Sequence, residues 1–294
     1  MGLDRNGVRL LLYARRLGAD FSYFGMLGRQ TLYCDARRLQ LLFDEFGLSI
    51  DSAATSRMVD DNRRFCEPLL KEMGARDPES LDYSDYQQAT HILDLNEPVP
   101  SLLHNRYSLL FDGGTLEHVF NFPTAINSCM QMIRPRGFYV SVNPANNFFG
   151  HGFYQFSPEL YFTVFGKSSS FRLHRVLVCE DDADAKWYAI TDPAEVRDRV
   201  TLCNAKPTFL MVVAQKIGQE PLEKENLQQS DYVNMWEKKQ GKKKSPSQNN
   251  RFSCKNLVVR LLPSGMQQVL LRLVAPFRNS FRSRYFRYFN PATD

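Results

Sequence analysis

The sequence predicts an α/β fold in which a mostly parallel sheet carries helices on both faces. Two observations carry that prediction. Phe21–Leu27, Tyr107–Asp112 and Phe138–Asn143 are short, almost continuously apolar runs, the composition of strands buried on both sides. Segments with apolar residues at helical spacing lie among them, and strands alternating with helices build parallel sheets through crossover connections.

In chain order, Val8–Leu17 reads as a leading helix and Phe21–Leu27 as the first strand, ended by a turn at Gly28. Asp35–Phe46 places Leu39, Leu42, Phe43 and Phe46 at i, i+3, i+4 and i+7, an amphipathic helix closed by Gly47. Ser49–Gly74 is polar and helical in part. Ser80–Tyr83, Thr90–Leu95, Tyr107–Asp112 and Phe138–Asn143 follow as strands, with a helix over Phe122–Ile133 that Pro135–Gly137 ends. Arg172–Cys179 and Thr208–Lys216 are two later strands, expected as an antiparallel edge pair. Gln219–Asn250, which contains KKQGKKKSPSQNN, reads as a polar linker. Beyond it, Leu257–Leu262 and Met266–Val274 are apolar helical stretches separated by Pro263, and the ending FRNSFRSRYFRYF interleaves Arg with aromatics. The expected organisation is a body over residues 1–218, a linker over 219–250 and a basic, amphipathic, helical extension over 251–294.

The net charge of +5 conceals a segregation. Pro221–Asp294 holds 14 Lys/Arg against 5 Asp/Glu, whereas Met1–Glu220 holds 23 against 27. The body is mildly acidic and the tail basic, so total charge is no argument for a nucleic-acid partner, and none is expected. Cys34, Cys66, Cys129, Cys179, Cys203 and Cys254 form no C-x-x-C pair and have no His at metal spacing. Their pattern suits small buried hydrophobes in a reducing, cytoplasmic setting, and no metal is expected. The apolar stretch at the N-terminus is short and broken by Arg15 and Arg16, unlike a signal peptide. No run approaches about 18 uninterrupted apolar residues, so no spanning helix is expected.

Tyr107–Pro158 is the most informative segment. An apolar strand ends in Asp112, the turn Gly113-Gly114-Thr115-Leu116-Glu117-His118-Val119 follows, then a helix, Arg134-Pro135-Arg136-Gly137 and a further strand. Upstream, Leu81-Asp82-Tyr83 and His91-Ile92-Leu93-Asp94-Leu95-Asn96 each carry a carboxylate at a strand end. In this order the pieces resemble the class I S-adenosylmethionine-dependent methyltransferases over about residues 20–217. The resemblance implies a Rossmann-like sheet of seven mostly parallel strands, S-adenosylmethionine as cofactor, and methyl transfer to a small-molecule or sugar-like acceptor. It implies cofactor contacts at Gly28, Asp82, Asp94, Asp112 and Gly113, with Asp82 on the ribose diol and Asp94 near the adenine edge. The bland reading of each aspartate is a cap or turn residue. The sequence departs from the family at the front. Where the family has an acid and then G-x-G-x-G, this chain reads Met26-Leu27-Gly28-Arg29-Gln30-Thr31-Leu32, in which only Gly28 matches. A side chain at a close-approach position takes up space that a ligand would need.

Two histidines follow these strands. His118 sits at the start of the expected helix after Asp112, where capping or packing is the commoner role. His151 lies in Asn146–Gln155, a polar, aromatic loop with Gly150 and Gly152 on either side of it. Functional groups concentrate on loops of this kind, and His151 is the candidate catalytic or acceptor-contacting residue. The rival expectation is a non-catalytic relative in which the sheet survives as a binding or scaffolding module. A nucleotide-binding oxidoreductase is disfavoured by the missing G-x-G-x-x-G. The tail has three readings: an extension packed on the body, an amphipathic element peripheral to an anionic membrane surface, or a stacking and phosphate-binding patch.

Overall fold

One sheet of nine strands in the order β3-β2-β1-β4-β5-β8-β6-β7-β9 organises the protein. The computed structural model describes residues 2–59, 65–166, 170–219, 227–240 and 279–294. The strands are β1 (Phe24–Leu27), β2 (Glu79–Asp82), β3 (His91–Ile92), β4 (Tyr107–Asp112), β5 (Ile133–Pro144), β6 (Phe171–Glu180), β7 (Trp187–Ile190), β8 (Thr208–Lys216) and β9 (Phe286–Phe289). The helices are α1 (Arg5–Arg16), α2 (Ala36–Glu45), α3 (Ser52–Val59), α4 (Glu67–Glu72), α5 (Phe122–Met132), α6 (Pro158–Val164), α7 (Pro193–Val196) and α8 (Ser230–Gln240).

The first five strands are parallel, and β1 lies between β2 and β4 with Met26 opposite Ser80 and Phe111. The order 3-2-1-4-5 is that of a doubly wound Rossmann sheet, in which the chain reverses direction across the sheet between β1 and β4. From β5 onward the pairing is antiparallel: β5 with β8, β8 with β6, β6 with β7 and β7 with β9. The sheet therefore has nine strands where seven were expected. β6 and β8 do pair antiparallel, but β8 is central, because all seven residues Phe138–Pro144 find partners on it.

Alternation along the strands builds two cores. Leu109 and Phe111 of β4, Val140 of β5, and Met211 and Val213 of β8 face one core with α1–α4. Leu110, Tyr139, Leu210 and Val212 face the other with α5 and α6. Period-two alternation with both faces covered explains why these strands read as unbroken apolar runs. Local signals set the helix starts: the Asp4 carboxylate accepts from Gly7 N at 2.8 Å, and Asp35 accepts from Arg38 N at 2.8 Å.

The segment read as a linker contains α8. Its first residue, Ser230, donates from its backbone N–H and its hydroxyl to the Glu159 carboxylate at 2.7 and 2.9 Å. The apolar stretches Leu257–Leu262 and Met266–Val274 lie outside the described residues. The last part of the extension is a strand where a helical extension was expected. β9 pairs with β7, and Phe289 is buried against Tyr13, ring centroids 5.2 Å apart. Among the described residues no helix is long and apolar enough to cross a membrane.

Candidate active site

Parallel strands deliver their carboxyl ends to one edge, and ligands of such sheets bind where neighbouring loops diverge, at the switch point. In this protein that point lies between the ends of β1 and β4. β1 ends in Gly28, which has φ of +65° and donates its N–H to Leu81 O at 2.7 Å. Only glycine holds that conformation without strain. A Cβ at Gly28 would lie 3.2 Å from Thr115 Oγ1, 3.6 Å from Gln30 Nε2 and 3.9 Å from Asp82 Oδ2, so these three side chains surround the turn.

Gln30, at the second glycine position of the family motif, occupies the crevice itself. Its side chain is buried and its Nε2 donates to Leu27 O at 2.7 Å, while Oε1 has no hydrogen-bond partner. That oxygen lies against Gly113, where a Cβ would come within 2.5 Å of it. Gly113 thus provides the room in which Gln30 sits. The chain beyond does not enter a helix at once. Leu32 and Thr31 bridge to Leu3 and Phe65, and α2 begins only after Asp35.

The other residues expected to touch a cofactor are placed differently from one another. Asp82, at the end of β2, is half-buried beside Gly28 and receives one long hydrogen bond, 3.4 Å from Ser84 N. Asp94 follows β3 and accepts from the Asn96 backbone and side chain, each at 2.8 Å, as a turn aspartate does. Asp112, also expected at the cofactor, is fully buried and its carboxylate faces inward. Oδ1 accepts from Thr115 N at 2.8 Å, and Oδ2 accepts from Asn143 Nδ2 at 2.8 Å and Tyr139 OH at 3.4 Å. Burial raises its pKa, against the lowering effect of those hydrogen bonds.

Asn143 links Asp112 to the second half of the site. Its Nδ2 also donates to Glu117 Oε2 at 3.2 Å, and its Oδ1 accepts from Tyr161 OH at 2.8 Å. Glu117 stands in a short 3-10 turn, Leu116–His118, and its side chain has no exposure. Its pKa is pushed up to about 8, first by burial and then by the negative charge of Asp112. Glu117 Oε1 lies 3.5 Å from His151 Nε2 and 4.0 Å from His118 Nε2, and the two imidazole rings pack edge to face at 4.9 Å.

The His151 loop is fastened to this group by backbone. Phe153 N and Tyr154 N both donate to Glu117 O, at 2.7 and 3.2 Å. Gly152 makes that approach feasible: its φ is +68°, and a Cβ there would lie 2.7 Å from the same carbonyl. Phe120, Phe149 and Phe153 stand exposed beside it, with Phe120 and Phe153 in edge-to-face contact at 5.6 Å.

Sequence reasoning selected His151 and Gly28 but overlooked Glu117 and gave Gln30 no role beyond the loss of a glycine. One available signal was an acid set between Leu116 and His118-Val119, in a turn that directly follows a buried strand.

No family model and no curated protein sequence matches this chain. Several solved structures with a similar backbone are methyltransferases. An S-adenosylmethionine dependent methyltransferase from Mesorhizobium loti aligns with 72% of this chain and 99% of its own at 13% identity, TM-score 0.35. The trans-methyltransferase CalH in complex with SAH aligns over 72% and 57% at 10% identity, TM-score 0.38. The DszA carbon methyltransferase aligns over 74% and 53% at 10% identity, TM-score 0.37. Likeness of this degree leaves the activity to be argued from the chain's own residues.

Proposed function

We propose that the protein transfers a methyl group from S-adenosylmethionine to a small-molecule or sugar-like acceptor seated beside His151. The observation that carries this reading is the Asp82 carboxylate at the end of β2, beside the switch point. It faces the left-handed Gly28 turn and is left almost unused by the protein, as a carboxylate kept for a ribose diol would be. Gly28, Asp82 and, across the crevice, Gly113 would hold the cofactor, with Asp94 at the next strand end. Bound there, S-adenosylmethionine supplies an electrophilic methyl group on sulfur. Gln30 must then turn out of the crevice, and because its Oε1 is unpartnered, turning forfeits only the Nε2 hydrogen bonds to Leu27 O at 2.7 Å and, longer, to Gly28 O at 3.4 Å.

Methyl transfer asks the protein chiefly to position its reactants, with a proton acceptor where the acceptor group is a hydroxyl. His151 is about one-third exposed on the aromatic rim and suits contact with such a hydroxyl. Phe149 and Phe153 offer flat apolar faces for the acceptor's body.

Calorimetry with S-adenosylhomocysteine tests the reading. The parent is expected to bind, and Asp82→Ala to weaken binding by about 1.5–3 kcal/mol, the range for a hydrogen bond to a charged group. Gln30→Gly is expected to tighten it. His151→Ala should retain the cofactor while losing turnover; a variant as fast as the parent would remove His151 from the acceptor site. The second reading, a cofactor-free binding module, is favoured by Gln30 filling the space of the glycine loop. Absence of binding by both the parent and Gln30→Gly would decide for it.

A further inference from the structure

We infer that Glu117, His118 and His151 form a binding site for one divalent transition-metal ion of the zinc class. The inference stands apart from the methyl-transfer reading and does not need it. His118 and His151 are far apart in sequence, and the loop contacts on Glu117 O bring them together. One oxygen of Glu117 and one ring nitrogen from each histidine lie within 4.8 Å of one another. In a tetrahedral zinc site, with metal–ligand bonds of about 2.0–2.1 Å, neighbouring donor atoms stand about 3.4 Å apart. The separation of 3.5 Å between Glu117 Oε1 and His151 Nε2 is already of that size, and 4.0 Å to His118 Nε2 closes with a small rotation of the ring.

The independent observation is that two of these donor atoms lack partners. Glu117 Oε1 and His151 Nε2 are both buried at the atom level and neither makes a hydrogen bond. A fully buried carboxylate oxygen without a donor is costly, and native structures rarely retain one. No Lys or Arg pairs with Glu117 among the described residues; its ion-pair neighbours are the two histidines. The remaining oxygen, Oε2, is fixed by Asn143, whose own orientation is set by Tyr161 and Asp112, so the carboxylate is held with Oε1 toward the imidazoles. Support behind a ligating group is what a metal site requires.

The donor set selects the ion. Two imidazoles and one carboxylate, with no thiolate, suit zinc and its neighbours, whereas magnesium and calcium prefer oxygen throughout. Three protein ligands leave at least one position open. His118 and His151 are 48% and 34% exposed, so that position faces solvent on the aromatic rim, where it could take a water or an oxygen of a bound molecule.

The test uses the full chain carrying Cys203→Ser and Cys254→Ser, so that these thiols do not compete. After chelator treatment and exchange into metal-free buffer, the protein is titrated with Zn2+ against a chromophoric chelator. One ion per chain is expected. His118→Gln and His151→Gln should each weaken affinity by about tenfold or more while keeping the parent's circular dichroism and metal-free melting temperature. No saturable binding by the parent, or parent-like affinity in either folded variant, overturns the site. Should a variant fail to fold, the Co2+-loaded parent decides. A visible absorption band well above that of aqueous Co2+ is expected, and the aqueous spectrum overturns the proposal.

Discussion

Glu79, at the start of β2, accepts from Arg106 Nε at 2.6 Å and from its Nη2, from Tyr107 OH at 2.9 Å, and meets His91 Nε2 at 3.0 Å. The Arg106 hydrogen bonds are the largest cause that holds its pKa down to about 2 from an ordinary 4.5. A depressed carboxylate pKa gives stability that is complete above the unfolded value and is lost as pH falls toward the folded one. Glu79→Gln should therefore cost about 1–2 kcal/mol near neutral pH, after allowance for the screening that a partly exposed arginine permits. In urea titrations the deficit should shrink as pH falls below 4.5 and be gone near 2; a constant deficit would mean that packing rather than charge is lost. At this scale the sequence is legible where a residue acts through its neighbours in the chain. The turn at Gly28, which closes an apolar run, is of that kind. The caps Asp4 and Asp35 are local too, although the expected first helix begins only at Val8 and neither aspartate is expected as a cap. Glu117 and Gln30 are not, because their meaning comes from Asn143, His151 and Gly113, which the fold alone brings to them.

Elements were readable in proportion to how completely they are buried. β4 occupies the same six residues in sequence and structure, since all of Tyr107–Asp112 is buried and Gly113-Gly114 stops the run. β3 falls short of its expected Thr90–Leu95: only His91 and Ile92 pair with β2, and the Asp94–Asn96 turn takes the backbone away from the sheet. β5 starts earlier than its apolar core, because Ile133 pairs with Tyr107 directly after α5, before a register shift to Leu109–Phe138. Pro135–Gly137, read as the end of a helix, thus belongs to an irregular strand, with Arg136 at φ +68°. β7 and β9 escaped notice for a different reason. Each is only four residues long; β7 returns on β6 as a short local pairing, whereas β9 finds its partner β7 about a hundred residues back, a separation that no local pattern encodes.

At the scale of the whole molecule, the two chain ends close the structure together. β9 lines up Phe289 with Trp187 of β7, and Trp187 donates its Nε1 to Asn6 of α1 at 3.0 Å. Arg16 of the same helix donates to Pro291 O and Thr293 O, each at 2.9 Å. The basic surplus after Glu220 is therefore not all on a free tail, since Phe286–Phe289 and its flanks are bound to the body. This bears on the expectation that the tail rests on an anionic membrane surface, a proposal that now concerns chiefly residues 241–278, outside the described part. A chain cut at Gly218 would lose β9 and α8 together, so its failure to sediment with anionic vesicles would report damage to the fold as readily as loss of docking. The informative protein is full-length, with Lys242, Lys243 and Lys244 replaced by Gln, and sedimentation equal to the parent would remove that basic run from any docking surface. The closing contact has its own test in Phe289→Ala. Removing a buried ring costs about 3–5 kcal/mol where the cavity cannot collapse, and β9 is the edge strand of the sheet among the described residues, so part of the loss should come from release of the strand. Thermal unfolding should show a melting temperature lowered to nearly that of a chain ending at Tyr285. If Phe289→Ala melts like the parent while the truncation does not, the strand's backbone pairing with β7, not the ring, is what joins the two ends of the chain.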